Sequence, residues 1–375
     1  MRLLSLHLEQ FRNYRQESLD LTGADLHLFA GRNGGGKTNL LEAVSVLSLS
    51  KSVLGHEEDD LRQWGREFYR VRGTAETDAG ETKTLEVVSQ AAPRREKACF
   101  LNDVRMSVAD LVGTLPTATF LPQDLELFRG APAERRRFID QILCQVLPSC
   151  FRALLDYQRV LKQRNALLKQ VATGAAGETA LAPWDQELAR IGAAVTVARL
   201  ELVGTFNLSL IEELRRLGEP WQEAFLRYER HGTETDETAL ERELTALLEH
   251  HRSRDILLQS TTVGPHRDDW FLEIDGHNLA TFASRGQQRI AVLALLFLET
   301  SYLQIRRGER PVILLDDILS ELDVAHQESV LQSFSDYQIL MTATQVLPEV
   351  PGAMVWTVEE GQVVQSRHGR SAIPA

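Results

Sequence analysis

Apolar and polar residues alternate at the start of the chain, with Leu4, Leu6 and Leu8 at every second position. The alternation breaks at Asn13-Tyr14 and resumes toward Leu19 and Leu21. A period of two is that of a half-buried strand, so a strand pair is expected here. A short apolar run, Leu26 to Ala30, then enters a glycine-rich loop. Past the loop the period changes: between Thr38 and Leu49, the residues Leu40, Leu41, Val44 and Leu47 fall at helical spacing. Residues 66 to 106 predict several short strands, among them Tyr69 to Val71 and Leu85 to Val88. Thr117 to Pro122 reads as another.

From Ala133 to about His251 the pattern is helical, interrupted by one strand-like piece, Ala224 to Tyr228. The glycine- and alanine-rich stretch Thr173 to Pro183 predicts a loop between two long helices. No heptad repeat is sustained, which argues against a long coiled coil. Strands return at Trp270 to Ile274, turned by Asp275-Gly276, and a helix is expected over Gly286 to Leu303. Val312 to Leu315 is wholly apolar and leads into Asp316-Asp317, the pattern of a buried central strand of a parallel sheet. The expected organisation is α/β: a split domain from both chain ends, residues 1–130 and 255–375, with a mainly helical lobe, 131–254, inserted between them.

Composition changes this picture little. Hydrophobic residues at 43% and charged residues at 25% are those of a globular protein. Cys99, Cys144 and Cys150 have no metal-ligand spacing and read as reduced thiols. The N-terminal MRLLSLHLEQFRNY is too quickly interrupted by charge for a signal peptide. The longest apolar run, Ile290 to Leu298, is half of the roughly 20 residues that span a bilayer, so a cytoplasmic protein without membrane contact is expected.

Charge adds one qualification. The net charge of −12 argues mildly against indiscriminate nucleic-acid binding. Yet Arg129 to Lys169 holds nine basic residues against three acids, Glu134, Asp140 and Asp156. That stretch is either a solvated or internally paired helical face or a phosphate-contacting surface. Its candidate contacts are Arg135, Arg136, Arg137, Arg159, Lys162 and Arg164. Such contacts would position a duplex without reading its sequence.

Three elements carry chemistry. Gly31-Arg32-Asn33-Gly34-Gly35-Gly36-Lys37-Thr38 fits the phosphate-binding pattern GxxxxGK[ST], with a strand before it and a helix after it. Glycines let backbone N–H groups turn inward around phosphates, and the helix N-terminus adds partial positive charge. Lys37 supplies charge to the terminal phosphates, and the Thr38 hydroxyl is placed to coordinate magnesium. Asp316, leaving a buried strand, fits the carboxylate that holds magnesium through water, and Asp317 fits a residue orienting the attacking water. An acidic pair at a strand end is otherwise a solvated turn. The third element, Ser284-Arg285-Gly286-Gln287, opens a helix. It reads either as an anion site closing on another subunit's nucleotide or as plain capping by Ser284.

The order of phosphate loop, Gln-containing loop, Ser284 motif, acidic strand and Ser320-Glu321-Leu322-Asp323 turn resembles that of ABC-type ATPases. Within these, the chain is similar to SMC-type DNA-repair heads and closely resembles the RecF family of bacterial recombination mediators. The resemblance rests on Phe11-Arg12-Asn13-Tyr14, Thr38-Asn39-Leu40-Leu41-Glu42-Ala43, Arg136-Arg137-Phe138-Ile139-Asp140, Gly264-Pro265-His266-Arg267-Asp268-Asp269, Ser284-Arg285-Gly286-Gln287-Gln288-Arg289 and Leu314-Leu315-Asp316-Asp317. These run in order along nearly the whole chain.

The resemblance implies an ABC-type head with a helical lobe, ATP and magnesium as cofactors, and an ATP-driven homodimer on DNA. Each phosphate loop would face the partner's Ser284 to Gln287. Gln123 falls where the family senses magnesium, Arg12, Asn13 and Asn39 where it approaches the nucleotide, and Asp323 in the turn at the dimer interface. RecR and RecO would be partners, and loading of the RecA recombinase the outcome. Asp317 stands where most ABC ATPases have glutamate, and Met341 to Thr344 offers no switch histidine. Both imply slow hydrolysis, and the resemblance implies that it depends on DNA. The rival readings are the ATPase subunit of an ABC transporter, which those two departures disfavour, and a nucleotide-gated scaffold that does not hydrolyse.

Overall fold

The computed structural model describes residues 1–322, 324–344 and 352–365. The chain divides into two compact units, residues 1–125 with 295–375, and residues 126–294.

The first unit holds two six-stranded sheets. One is antiparallel, in the order Tyr14–Asp20, Arg2–Phe11, Phe68–Glu76, Thr82–Gln90, Glu96–Leu101, Val104–Met106. Its opening hairpin is the strand pair that the alternation predicts, closed between Phe11 and Tyr14. The other is mostly parallel, in the order Gln362–Gln365, Ala353–Glu359, Leu26–Ala30, Ile339–Ala343, Val312–Leu315, Thr117–Phe120. All four residues of Val312–Leu315 are fully buried, because the strand has neighbours on both sides. The helix Lys37–Leu49 buries Leu40, Leu41, Val44 and Leu47 in the same core as the antiparallel sheet. At about 25 cal/mol per Å² of apolar surface removed from water, that burial is what fixes the helix against the sheet.

The second unit is mainly helical. Its longest helices are Pro148–Ala172 and Ala182–Asn207, and the stretch between them is the predicted connection, with one short turn at Glu178–Leu181. Proline at the start of each sets φ for the first turn and gives up an N–H that would lack a partner there. The strand Ala224–Glu229 pairs antiparallel with Asp269–Ile274. That pairing moves one expected boundary. Residues 255 to 294 belong with the insertion, not with the chain-end unit, because Asp269–Ile274 completes a sheet with a strand of the insertion. The other boundary falls at 125/126 in place of 130/131. No single helix among the described residues is long and apolar enough to cross a membrane. The three cysteines are free and buried.

Candidate functional site

The strand Leu26–Ala30 delivers Gly31, and the helix that begins at Lys37 leaves the loop on the other side. The first N–H groups of such a helix lack intrahelical partners, so the loop ends in an anion-attracting cradle. Two glycines are required by sterics. A Cβ on Gly31 would lie 2.2 Å from the carbonyl oxygen of Val358, and Gly36 has φ of +113° with a Cβ position 2.4 Å from Asn13 Nδ2. The hairpin tip braces the loop from outside. Asn13 Nδ2 donates to Gly35 O at 3.0 Å, the Tyr14 hydroxyl donates to Gly36 O at 2.9 Å, and Asn39 Nδ2 donates to Asn13 Oδ1 at 2.8 Å. Arg32, Asn33 and Gly34 form an exposed lip.

Lys37 is buried, and its Nζ donates to Gly31 O at 2.7 Å and Arg32 O at 3.0 Å. The ammonium thus rests on carbonyls of its own loop, within reach of whatever the loop holds. Burial pushes it below the usual lysine range, against the pull of the Asp317 and Asp316 charges.

Strand register sets the acidic edge. Leu315 pairs with Phe120 on one side and Met341 on the other, and Asp316 N donates to Phe120 O at 2.9 Å. The Asp316 carboxylate accepts the Thr38 hydroxyl at 2.9 Å and the Thr342 hydroxyl at 2.6 Å. Burial raises its pKa above the usual carboxylate range, opposed by those two hydroxyl bonds. Asp317 takes a left-handed φ of 48°, and its N–H donates to Thr342 Oγ1 at 2.9 Å. Thr342, at the end of the neighbouring parallel strand, therefore holds both aspartates. In the sequence Thr342 stands only within the stretch that lacks a switch histidine; the strand register that sets Met341 beside Leu315 is what brings it to the site. A hydroxyl and a carboxylate are hard oxygen donors of the kind magnesium takes. No cluster of three or more His, Cys, Asp or Glu able to hold a metal occurs among the described residues. Gln123 is exposed in the turn Pro122–Glu126, just past the strand that pairs with Val312–Leu315.

Arg12 reaches the site already engaged. Its Nε and Nη2 donate to the Glu42 carboxylate at 2.6 and 2.9 Å, and Nη1 donates to Asp60 O at 2.8 Å. Glu42 also accepts Ser52 Oγ at 2.5 Å and pairs with His56 Nδ1 at 2.7 Å. Burial works to raise the Glu42 pKa, but the bonds from Arg12, Ser52 and His56 outweigh it and hold the group below its ordinary range. Glu42 was legible only as part of a motif, not as the anchor of Arg12.

In the second unit, Ser284 and Gln287 form a reciprocal cap at the start of Arg285–Arg307. Gln287 N donates to Ser284 Oγ at 3.2 Å and Ser284 N donates to Gln287 Oε1 at 3.1 Å. The bland reading of Ser284 as a helix cap is thus realised in the free chain. Ser284, Arg285 and Gly286 are nonetheless exposed, and a Cβ on Gly286 would meet nothing closer than Ser284 Oγ at 3.9 Å. Asp323 lies outside the described residues.

Residues 2–347 match the sequence profile described as the RecF/RecN/SMC N terminal domain. The chain is 33% identical to the DNA replication and repair protein RecF of Heliobacterium modesticaldum, covering 98% of this chain and 100% of that one. It is 36% identical to the Enterococcus faecalis RecF, over 92% of both. The chain belongs to the RecF family. Among solved structures, the recombination mediator protein RecF with ATP superposes with a TM-score of 0.90 at 28% identity, over 98% of both chains. An Smc head bound to a ScpA domain matches at 0.54 and 14% identity, a likeness of fold alone. The fold is an ABC-type ATPase head, and membership of the RecF family leaves the transporter reading without support.

Within this RecF-family chain, the six basic candidates for DNA contact separate. Arg135 is buried, forks onto Asp269 at 2.7 Å through both Nε and Nη2, and donates to Gly130 O at 2.8 Å. Arg164 is fully buried between Asp185 and Asp255. Neither can touch a phosphate while the unit is folded; both are internal ion pairs, which corrects the expectation for them. Half-buried Arg136 donates to Asp268 O at 2.6 Å, and Arg137 is half-buried beside it. Arg159 is exposed and paired with Asp156, while Lys162 and Lys169 are exposed along the same helix.

Proposed function

We propose that this chain binds ATP with magnesium in the cradle Gly31–Thr38, dimerises on it, and in that state binds DNA without sequence preference, hydrolysing ATP slowly. The observation that carries the reading is the joined set at the end of the parallel sheet. Thr38 donates to Asp316 at 2.9 Å, and Thr342 bonds both Asp316 and Asp317.

When ATP enters, Lys37 Nζ exchanges the carbonyls of Gly31 and Arg32 for phosphate oxygens. The loop N–H groups donate to the remaining phosphate oxygens. Thr38, Asp316 and Gln123 are the residues that would hold magnesium, which would supply positive charge to the phosphates. Asp317, steadied through its N–H on Thr342, orients the attacking water. Aspartate reaches one methylene less than glutamate would, and slow turnover follows. Asn13 and Asn39 brace the loop, and Arg12, held by Glu42, stands with them where the nucleotide phosphates would be approached.

The segment Ser284 to Gln287, exposed over Ser284 to Gly286, completes the site of a second copy, so that two nucleotides are enclosed per dimer. DNA contacts fall to the basic face that remains open, Arg159, Lys162 and Lys169, with Arg136 and Arg137 at its margin. By likeness to RecF proteins of the RecFOR pathway, the role is recombinational repair of gapped or stalled DNA, with RecR and RecO as partners in the cytoplasm.

The test is binding of a fluorescent gapped duplex with ATP, ADP or no nucleotide at fixed salt, with molar mass read by light scattering. A dimer that binds DNA tightly only with ATP supports the reading. A dimer that ignores DNA would overturn the clamp and leave the basic face as a docking surface for protein.

A further inference from the structure

Beside the exposed opening of the helix Arg285–Arg307 stands a carboxylate, Glu219, whose acceptor oxygen takes Gln287 Nε2 at 3.3 Å. Local geometry fixes its place. The helix Leu210–Arg216 ends with Gly218 at φ +91°; Gly218 N donates to Arg215 O at 3.0 Å and Glu219 N to Leu214 O at 3.1 Å. This is a Schellman ending, in which glycine takes the left-handed position and the next residue bonds back to the last turn. Pro220 follows and cannot continue the helix.

The loop beyond is held at both ends. Arg215 Nε donates to Trp221 O at 3.2 Å and its Nη2 to Gln222 O at 3.0 Å, while the Trp221 side chain is buried. Gln222 N and Glu223 N both donate to Asp275 Oδ1, at 3.1 and 2.8 Å. A braced loop therefore presents Glu219 to Gln287. Among the described residues no arginine or lysine forms an ion pair with Glu219. A carboxylate at a helix N-terminus is favoured by the helix dipole, and the same position attracts a phosphate. The remaining polar groups of the segment are also engaged within the chain. Ser284 N rests on Gln287 Oε1 and Gln287 N on Ser284 Oγ, at 3.1 and 3.2 Å.

We propose that Glu219 is an autoinhibitory plug: in the free chain its carboxylate occupies the anion position of Ser284 to Gln287 that the γ-phosphate held by a second copy takes in the dimer. The inference rests on the composite-site reading and adds its regulation. Two anions that share Gln287 Nε2 repel, so Glu219 must leave Gln287 before the second copy docks. ADP brings no γ-phosphate to displace it, and the plug stays in place. Each dimer contains two such segments, so the opposition acts twice and keeps chains apart until both cradles hold ATP.

The experiment uses the full chain and follows dimerisation by light scattering over a range of protein concentrations, with saturating ATP or ADP. Glu219→Gln keeps an acceptor for Gln287 and removes the charge, whereas Glu219→Ala removes both. Each variant strengthens ATP-dependent dimerisation about tenfold, the order expected on relief of a like-charge contact. ATP binding by the single chain, measured at low protein concentration, is unchanged in both. Dimerisation of Glu219→Gln no tighter than that of the wild type overturns the proposal. Weaker dimerisation in Glu219→Ala, restored to the wild-type level in Glu219→Gln, also overturns it and makes Glu219 a positioning residue for Gln287. An equal gain with ADP and with ATP overturns it too, because the competing group would not be the γ-phosphate. Failure of the composite site shows separately: a Ser284→Arg protein that dimerises and hydrolyses normally counts against that reading whatever Glu219 does.

Discussion

Replacing Arg164 by methionine separates a structural arginine from a DNA-binding one. Its Nε donates to Asp185 at 2.6 Å, and its Nη1 donates to Asp255 and Thr261 Oγ1, each at 2.7 Å. The side chains of Arg164, Asp185 and Asp255 are 0%, 3% and 0% exposed. Removing one partner from such a buried set strands carboxylates without compensation, at about 3–5 kcal/mol. The lower end applies here. Asp185 keeps Arg252 Nη2 at 2.9 Å, and Asp255 keeps Thr262 N and Oγ1 at 3.0 and 2.7 Å. With a urea slope of about 2–3 kcal/mol/M, a loss of that size lowers the midpoint by about 1 M or more. The assay is urea unfolding followed by helical circular dichroism, paired with DNA affinity measured on protein still folded. Arg164→Met shifts the midpoint and leaves the affinity of the folded fraction intact. Lys162→Ala, an exposed change, shifts stability by less than about 0.5 kcal/mol and weakens DNA binding. An Arg164→Met protein as stable as the wild type, with DNA binding lost, would sink the assignment of Arg164 to the core.

Three further outcomes follow from the geometry. Thr342→Val removes the 2.6 Å bond to Asp316 and the acceptor of Asp317 N, so single-turnover ATP hydrolysis falls about tenfold, equivalent to about 1.4 kcal/mol on the barrier; a wild-type rate would remove Thr342 from the site. Ser284→Arg leaves ATP binding by the single chain intact and abolishes ATP-dependent dimerisation and hydrolysis, and hydrolysis at the normal rate would refute a composite site. Burial takes the His266 pKa from 6.5 to about 4, the ring donating Nε2–H to Thr261 O at 3.1 Å and accepting the Tyr157 hydroxyl at 2.8 Å. The folded value is the lower one, so its stability contribution is present above 6.5 and is lost as pH falls toward 4, by at most about 3 kcal/mol. His266→Gln flattens that loss; stability curves for the two proteins that stay parallel from pH 7 to 4 would exclude the mechanism.

The residues the sequence made legible are those whose meaning is local. A glycine loop between a short apolar strand and a 3.6-period helix is readable because strand, loop and helix lie within a few tens of residues. The four apolar residues Val312–Leu315 announce burial on both faces by themselves. What could not be read depends on partners far along the chain. In Arg135, Arg136 and Arg137 the sequence shows three adjacent charges, but the carboxylate that claims Arg135 is Asp269, 134 positions away. Arg164 likewise finds Asp185 and Asp255 at separations of 21 and 91. The boundary at 255 failed for the same reason: Asp269–Ile274 has its pairing partner in the insertion, and strand patterning does not name a partner. Thr342 escaped notice because one hydroxyl in an apolar strand carries no signal until the register sets Met341 beside Leu315.

A basic run is thus ambiguous until the fold is known. In the run, net charge suggests a ligand, yet most of the geometry is spent inside the protein. Arg135 and Arg164 satisfy carboxylates inside the unit, and the outward positions of the helix Pro148–Ala172 are the main ones left for an external phosphate. Charge density along a chain is therefore a poor guide to ligand contact in this protein, because an arginine's role is decided by whether folding supplies its counter-ion. Where folding supplies it, substitution costs stability; where it does not, substitution costs binding, and the contrast between Arg164→Met and Lys162→Ala measures that difference directly.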